Sequence, residues 1–294
     1  AAELTLIVPD LFDTDIVSIA VQRQPDTRIH CVRADGTVAI LTYEPQEELL
    51  AWSTWSTNGS VERAMTLPGE QEDHVYYHIN RTINGSTKRF LERWAMEEES
   101  LGDTGLSYLV DAAKAYTDTG RSATITGFQH LAGAEVVIWA DDTGQTNAGK
   151  DLSPDVSGVQ TTYTVGSGGA SDTGEITLSE AVHHAVVGLA YGADYKSTKM
   201  DFGAEGGTGL TQKKRIPQLG LIIYKTHNNG LFLGSDTGNL DPMPRVNDEG
   251  AVVDADTIFA AYDEVAVPFP GDWDEDSRVH IRAKSPRPAT VLAL

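Results

Sequence analysis

The chain has 294 residues, with 43 Asp and Glu against 22 Lys and Arg, a formal net charge of -21. That deficit of positive charge excludes a basic face that grips duplex DNA through its phosphates, and it sets the chain against anionic membrane surfaces. Charged residues make up only 22% and hydrophobic ones 40%, so the acidity is an imbalance within a core-forming composition that also suits solubility or a salty habitat.

In chain order, Leu4 to Val8 is too short for the apolar core of a signal peptide, and no basic residue precedes it. Nothing marks the chain for secretion, and its start without Met, in a strand-like run, suggests processing or a portion of a longer protein. Ile16 to Val21, Arg28 to Arg33, Thr37 to Tyr43 and Leu49 to Trp55 are rich in β-branched, aromatic and aliphatic residues. Turn-forming residues separate them: Gln24-Pro25-Asp26, Ala34-Asp35-Gly36 and Glu44-Pro45-Gln46. Asp35-Gly36 predicts a two-residue hairpin that pairs 28–33 with 37–43. Cys31, the single cysteine, has no partner for an internal disulfide and reads as a small buried hydrophobe. Val61 to Leu67 stops at Pro68-Gly69, and Val75 to Arg81 and Thr87 to Trp94 flank Asn84-Gly85. Asp35 and Asn84 lie 49 residues apart, the spacing of one four-stranded propeller blade. An ordinary antiparallel sandwich is the competing arrangement.

Glu97-Glu98-Glu99 and Gly102-Asp103-Thr104-Gly105 read as a boundary. Leu106 to Tyr116 fits a helical face and a strand alternation equally. Strands resume from Ala123, clearest at Ala134 to Ala140, before a polar, loop-rich stretch containing Gly166-Ser167-Gly168-Gly169. Ile176 to Leu178 and Ala185 to Tyr191 predict two further strands. A third region opens near Asp201 with Gly206-Gly207, continues through Pro217 to Thr226 and the turn Asn228-Asn229-Gly230, and ends in Glu264 to Val267, Arg278 to Ala283 and Thr290 to Leu294. The expected fold is all-β, with partial β-propeller blades over 1–97, an inserted small β domain over 98–200 and a C-terminal β domain over 201–294, the latter two sandwich-like. No segment approaches the ~18 apolar residues of a membrane span, so no membrane insertion is expected.

Several motifs look chemical. Asp-Thr-Gly occurs five times, at Asp103, Asp118, Asp142, Asp172 and Asp236, but an aspartic protease needs two, on apolar strand ends. Polar flanks such as Ser171-Asp172-Thr173-Gly174-Glu175 make these surface turns. Gly144 to Asp151 has the spacing of a phosphate-binding loop, yet Asp151 stands where Ser or Thr would hold magnesium, and Leu152-Ser153-Pro154 breaks the helix that should follow. Asp272, Asp274 and Asp276 alternate as in a calcium loop, but Ser277 replaces the glycine and Ala283 the final Glu, leaving a weak calcium contact at most. His183-His184 are neighbours that point to opposite faces of a strand, without further ligands at zinc spacing. Trp52, Trp55, Tyr76, Tyr77, Phe90 and Trp94 suit core packing better than a sugar platform. Lys213-Lys214-Arg215 is a short basic run that fits a subunit contact or a solvated surface. No catalytic, cofactor-binding or metal-ligating residue is nominated.

Gln22-Arg23-Gln24-Pro25, Cys31-Val32-Arg33-Ala34-Asp35-Gly36-Thr37 and Leu41-Thr42-Tyr43-Glu44 together resemble a blade of the tail nozzle proteins of short-tailed bacteriophages, also called portal-vertex stabilisation proteins. Trp52, Thr57 to Glu62, Leu67-Pro68-Gly69, Glu72-Asp73, Arg81 to Gly85 and Arg89 to Arg93 resemble the next blade. Leu189-Ala190-Tyr191, Arg215-Ile216, Val267 to Trp273 and Pro288 to Ala293 extend the resemblance through the chain, least at 141–175. It implies a non-enzymatic virion protein, without cofactor or metal: one subunit of a homohexameric ring that extends the DNA channel below the portal and adaptor. Such a ring retains the genome, passes it at ejection without sequence-specific contact, and meets adaptor and tail-fibre proteins. An acidic lumen would let phosphates slide rather than stick. The alternative is a glycan-binding tail-fibre or lectin-like propeller module that uses Trp52 or Trp55. A propeller hydrolase with paired carboxylates is the third expectation.

Overall fold

The computed structural model describes residues 4–6, 8–102, 105–141, 149–156, 158–166, 173–199, 209–246, 250–262 and 266–294. The fold is all-β, 54% strand and 5% helical. Strands β1 (Ile16–Gln22), β2 (Arg28–Arg33), β3 (Val38–Glu44) and β4 (Leu49–Trp55) form a four-stranded antiparallel meander in chain order. Strands β5 (Ser60–Leu67), β6 (His74–Ile83) and β7 (Ser86–Arg93) form a three-stranded one.

Turn chemistry sets both registers. At the β6–β7 turn, Asn84 and Gly85 both take positive φ, 47° and 71°, as a two-residue hairpin requires. The β2–β3 turn differs from the expected two-residue form. Gly36 alone has positive φ, 83°, and its N–H donates to the Arg33 carbonyl at 3.0 Å. Asp35 instead accepts the Thr37 N–H at 2.9 Å, a local bond that holds it at negative φ and makes the turn one residue longer.

The two meanders share one interior. Val32, Val38 and Ile40 of the first pack with Val61, Val75, Tyr77 and Ile79 of the second, and Trp55, Ala64 and Trp94 pack around them. Strand β6 alternates strictly, burying Val75, Tyr77, Ile79, Arg81 and Ile83. Arg81 is inside because Glu92 takes its guanidinium at 2.6 and 2.7 Å while the Asn58 carbonyl accepts a third bond at 2.8 Å. The first sheet is apolar on its other face too, where Cys31, Ala39 and Leu41 are buried. Residues 4–6 and 8–12 cross part of that face: Trp52 Nε1 donates to the Leu4 carbonyl at 3.0 Å, and the Phe12 ring meets Trp52 edge-on at 5.0 Å.

Beyond these, β8 (Asp111–Ile125), β9 (Glu135–Asp141), β10 (Gly149–Asp151), β11 (Asp155–Val156), β12 (Val159–Gln160), β13 (Tyr163–Thr164) and β14 (Ile176–Leu189) follow. Their main sheet runs β10-β9-β14-β8 with β13 also on β9, and β11 pairs β12. The two strands expected at 176–178 and 185–191 are one bulged strand, and the ambiguous 106–116 enters strand at Asp111 with no helix before it. Strands β15 (Gly192–Lys196), β16 (Gln218–Gly220), β17 (Ile222–His227), β18 (Leu231–Asp236), β19 (Asn239–Pro242), β20 (Ile258–Tyr262), β21 (Ala266–Pro268), β22 (His280–Lys284) and β23 (Val291–Ala293) complete the fold. They make sheets ordered β15-β22-β18-β19, β20-β17-β23 and β16-β21, around a core that includes Leu219, Ile223, Leu233, Phe259, Phe269 and Ile281. The chain divides into two units, one of Ala1–Glu98, Gln129–Ala134 and Val165–Gly174, the other of Glu99–Phe128, Glu135–Thr164 and Glu175–Leu294. Asp103, Asp142, Asp172, Ser167 to Gly169, Gly144 to Ala148, Gly206-Gly207 and Glu264 lie outside the described residues.

Candidate functional site

The acidic turn after Phe269 borders a cleft of about 510 Å³, lined in part by Asp194, Lys196, Asp236, Asp274, Asp276 and His280. Its carboxylates arrive from separate elements, and most already have partners. Asp194 stands opposite Arg282 in the β15–β22 ladder, and Arg282 Nε donates to it at 2.6 Å. Arg278 does the same for Asp276 at 2.9 Å and holds its carboxyl below the usual range, helped by Lys196 and Lys199. Asp236 accepts the Gly238 N–H at 2.7 Å in the β18–β19 turn. Asp274 is fixed through its backbone, which exchanges hydrogen bonds of 2.8 and 2.9 Å with Lys214. Ser277, in the place of the calcium-loop glycine, reaches the Lys214 and Asp274 carbonyls at 3.0 and 2.9 Å and ties the turn to the basic run. Among the described residues, no group of three or more His, Cys, Asp or Glu side chains is placed to hold a metal ion.

Of the expected aromatic cluster, Trp55, Tyr77 and Trp94 are brought together inward, whereas Trp52 meets Phe12 on the other face of the first sheet and Tyr76 lies on the outer face of the second. Trp55, Tyr77 and Trp94 have ring centres 4.8 to 5.8 Å apart within the two-sheet core. His30, 1% exposed, joins them through a hydrogen-bonded chain that sequence reasoning missed. Tyr77 Oη lies 2.6 Å from His30 Nδ1, and His30 Nε2 lies 3.4 Å from Gln22 Oε1. Gln22 Nε2 donates to the Gln24 carbonyl at 2.9 Å, so its Oε1 is the acceptor. The network therefore assigns the proton to Nε2, and Nδ1 accepts from Tyr77. Burial, with Arg28 adding repulsion, lowers His30 to about 4, and burial alone raises the Tyr77 phenol and the Cys31 thiol.

The remaining motifs resolve into structural ties. Asp236 caps its own turn, so that Asp-Thr-Gly triplet is a local turn, whereas Asp118-Thr119-Gly120 lies within β8 at a break in its register with β14, with Asp118 accepting the Thr119 N–H at 2.6 Å, and is not the surface turn expected of it. Of the apparent phosphate loop, residues 149–151 form β10. There a Cβ on Gly149 would collide with the Trp139 indole. Asp151 is buried against Arg287: Nε donates to it at 2.6 Å, while Nη1 reaches Asp155 at 2.6 Å. Lys284 also bonds Asp155, at 2.5 Å. His183 and His184 stand in β14 where the ladder with β8 breaks register, opposite extra residues of β8. Asp141 Oδ1 takes both of their backbone N–H groups, at 2.8 and 2.7 Å, while Arg121 pairs with Oδ2 at 3.0 Å. In the basic run Lys214 is buried, its Nζ donating to the Gly209 carbonyl at 2.5 Å, and Lys213 and Arg215 are exposed.

Compared with family models and with curated proteins, the chain matches none.

Proposed function

We propose that the chain is a structural subunit of a phage tail nozzle, one copy of a ring that extends the DNA channel, retains the genome and passes it at ejection. The observation that carries this reading is the pair of consecutive antiparallel meanders stacked face to face through Val32, Val38, Ile40, Val75, Tyr77 and Ile79, the way successive propeller blades stack. The residues that resemble the family's blades, Cys31 to Thr37 and Arg81 to Gly85, are the strand ends and turns of those two sheets. The charge of -21 fits a conduit that must not hold phosphates. Function then resides in assembly geometry, and the self-contacts, adaptor and fibre docking are part of the same proposal. Electron microscopy of the negatively stained, purified protein tests it. A six-fold ring with a central channel is the expected image, and particles that remain single copies at every protein and salt concentration overturn it.

A further inference from the structure

The two-sheet unit has two outer faces of opposite character. Strands β5, β6 and β7 hold Arg63, Arg81, Lys88, Arg89 and Arg93 against only Glu62 and Glu92, in a chain where acids outnumber bases by 43 to 22. Arg81 and Glu92 pair inward. Side chains directly opposite in a ladder share a face, so the register sets what remains outside. Tyr76 lies between Met65 and Arg93, His78 between Arg63 and Leu91, and Asn80 beside Arg89. Leu91, Leu67 and Met65 are 60%, 50% and 46% exposed, and Arg63, Arg89 and Arg93 are exposed beside them. This face is basic and apolar, with Glu62 as its one acid, bonded to Arg89 at 3.0 Å.

On the other side of the unit, Ile19 and Val21 share the outer face of the first sheet with Cys31 and Ile29. They are 59% and 43% exposed on an edge strand, because Leu4 and Phe12 cover the Trp52 side of that face. Exposed Asp10, Asp13 and Asp15 lie along the covering segment and at the head of β1. This face is apolar, with exposed aspartates in the segment beside it and Arg33 held to the Leu11 carbonyl.

We propose that these two faces are the two sides of one contact between copies of this chain, the Arg63–Arg89–Arg93 face of one copy stacking on the Ile19–Val21 face of the next with its row of aspartates. Two copies serve better than a nucleic acid as the occupant, since a strip of three outward arginines interleaved with Met, Leu and Tyr offers few phosphate contacts and the chain's overall charge repels a polyanion. The contact is heterologous, so each copy keeps one face of each kind free for its neighbours, and such a contact closes a ring or propagates. The inference rests on the ring-subunit reading and adds which surfaces meet and in which direction.

Sedimentation velocity on the full chain tests it with two charge reversals, R63E/R93E and D13R/D15R, whose folding is checked by far-UV circular dichroism. All four positions are exposed. Each variant alone is expected to associate at least about a hundredfold more weakly than the wild type, from like charges brought together. Mixed one to one, the two variants present opposite charges at both junctions, and association is expected to return. Association of each variant alone at wild-type strength, or no recovery on mixing, overturns the face assignment while a wild-type ring keeps the nozzle reading. A wild type that never associates overturns both.

Discussion

His30 illustrates how a single side chain becomes a stability term. Its folded value of about 4 lies below the ordinary 6.5, so the neutral ring is favoured by the fold. The associated stability is complete above pH 6.5 and is lost as pH falls toward 4, by about 3 kcal/mol across that window. Urea unfolding at pH 7 and pH 4.5 checks this: the His30→Gln variant is expected to lose much less stability on acidification than the wild type. Carboxylates held low by partners, such as Asp276 and Glu135, act in the same direction, so the difference between the two proteins isolates the ring. Arg287 is a second case. Its guanidinium and the Asp151 carboxylate are both nearly fully buried. Arg287→Met strands that carboxylate and is expected to destabilise by about 3 to 5 kcal/mol, whereas Arg287→Met with Asp151→Asn recovers much of the loss in the same urea titration.

At the scale of the element, the break in register between β14 and β8 depends on Asp141, which receives two amides of β14 at that point. Asp141→Ala leaves both unpaired and is expected to cost about 2 to 5 kcal/mol. Amide hydrogen exchange at His183 and His184 should accelerate ahead of their neighbours in β14; unchanged protection would show that water or the ladder replaces the carboxylate. These cases mark what could be read from the chain beforehand. Strands β1 to β7 were legible because alternation and turn residues act within a few positions, as at Asn84-Gly85. The extra residue in the Asp35-Gly36 turn was not, because the Asp35 side chain competes for the Thr37 amide. Strand β14 looked like two because its middle, Ser179-Glu180, is polar and the register break after it is held by a residue about 40 positions earlier. The Gly144 to Asp151 spacing could be set aside as a phosphate loop from Asp151 itself, but what Asp151 does instead was not legible for a similar reason: its partner is Arg287, 136 residues away. The opposite character of the two outer sheet faces depends on register across three ladders, which composition averages away.

For the whole molecule, charge is the property with the widest reach. At pH 7 the chain carries -21, and it is expected to leave duplex DNA unshifted on a native gel at about 50 mM salt, where phosphate-binding proteins hold most tightly. Retention of DNA under those conditions would remove the physical basis of a sliding conduit. The pI of about 4.6 adds a second expectation, a solubility minimum as acidification approaches that value, coinciding with the window in which His30 loses its contribution. The buried pairing of Asp151 with Arg287 also orders events in time. A chain made from its N-terminus completes β1 to β7 by residue 93, and every ladder in those two sheets joins strands adjacent in sequence. The region around β10 has no such independence. Until residue 287 has been synthesised, Asp151 has no guanidinium to face, and Trp139 and Gly149 have little reason to close around it. One part of the molecule can therefore ripen on the ribosome while another waits for a residue 136 positions further along the chain, so an interrupted chain would carry finished meanders together with an open, aggregation-prone sheet.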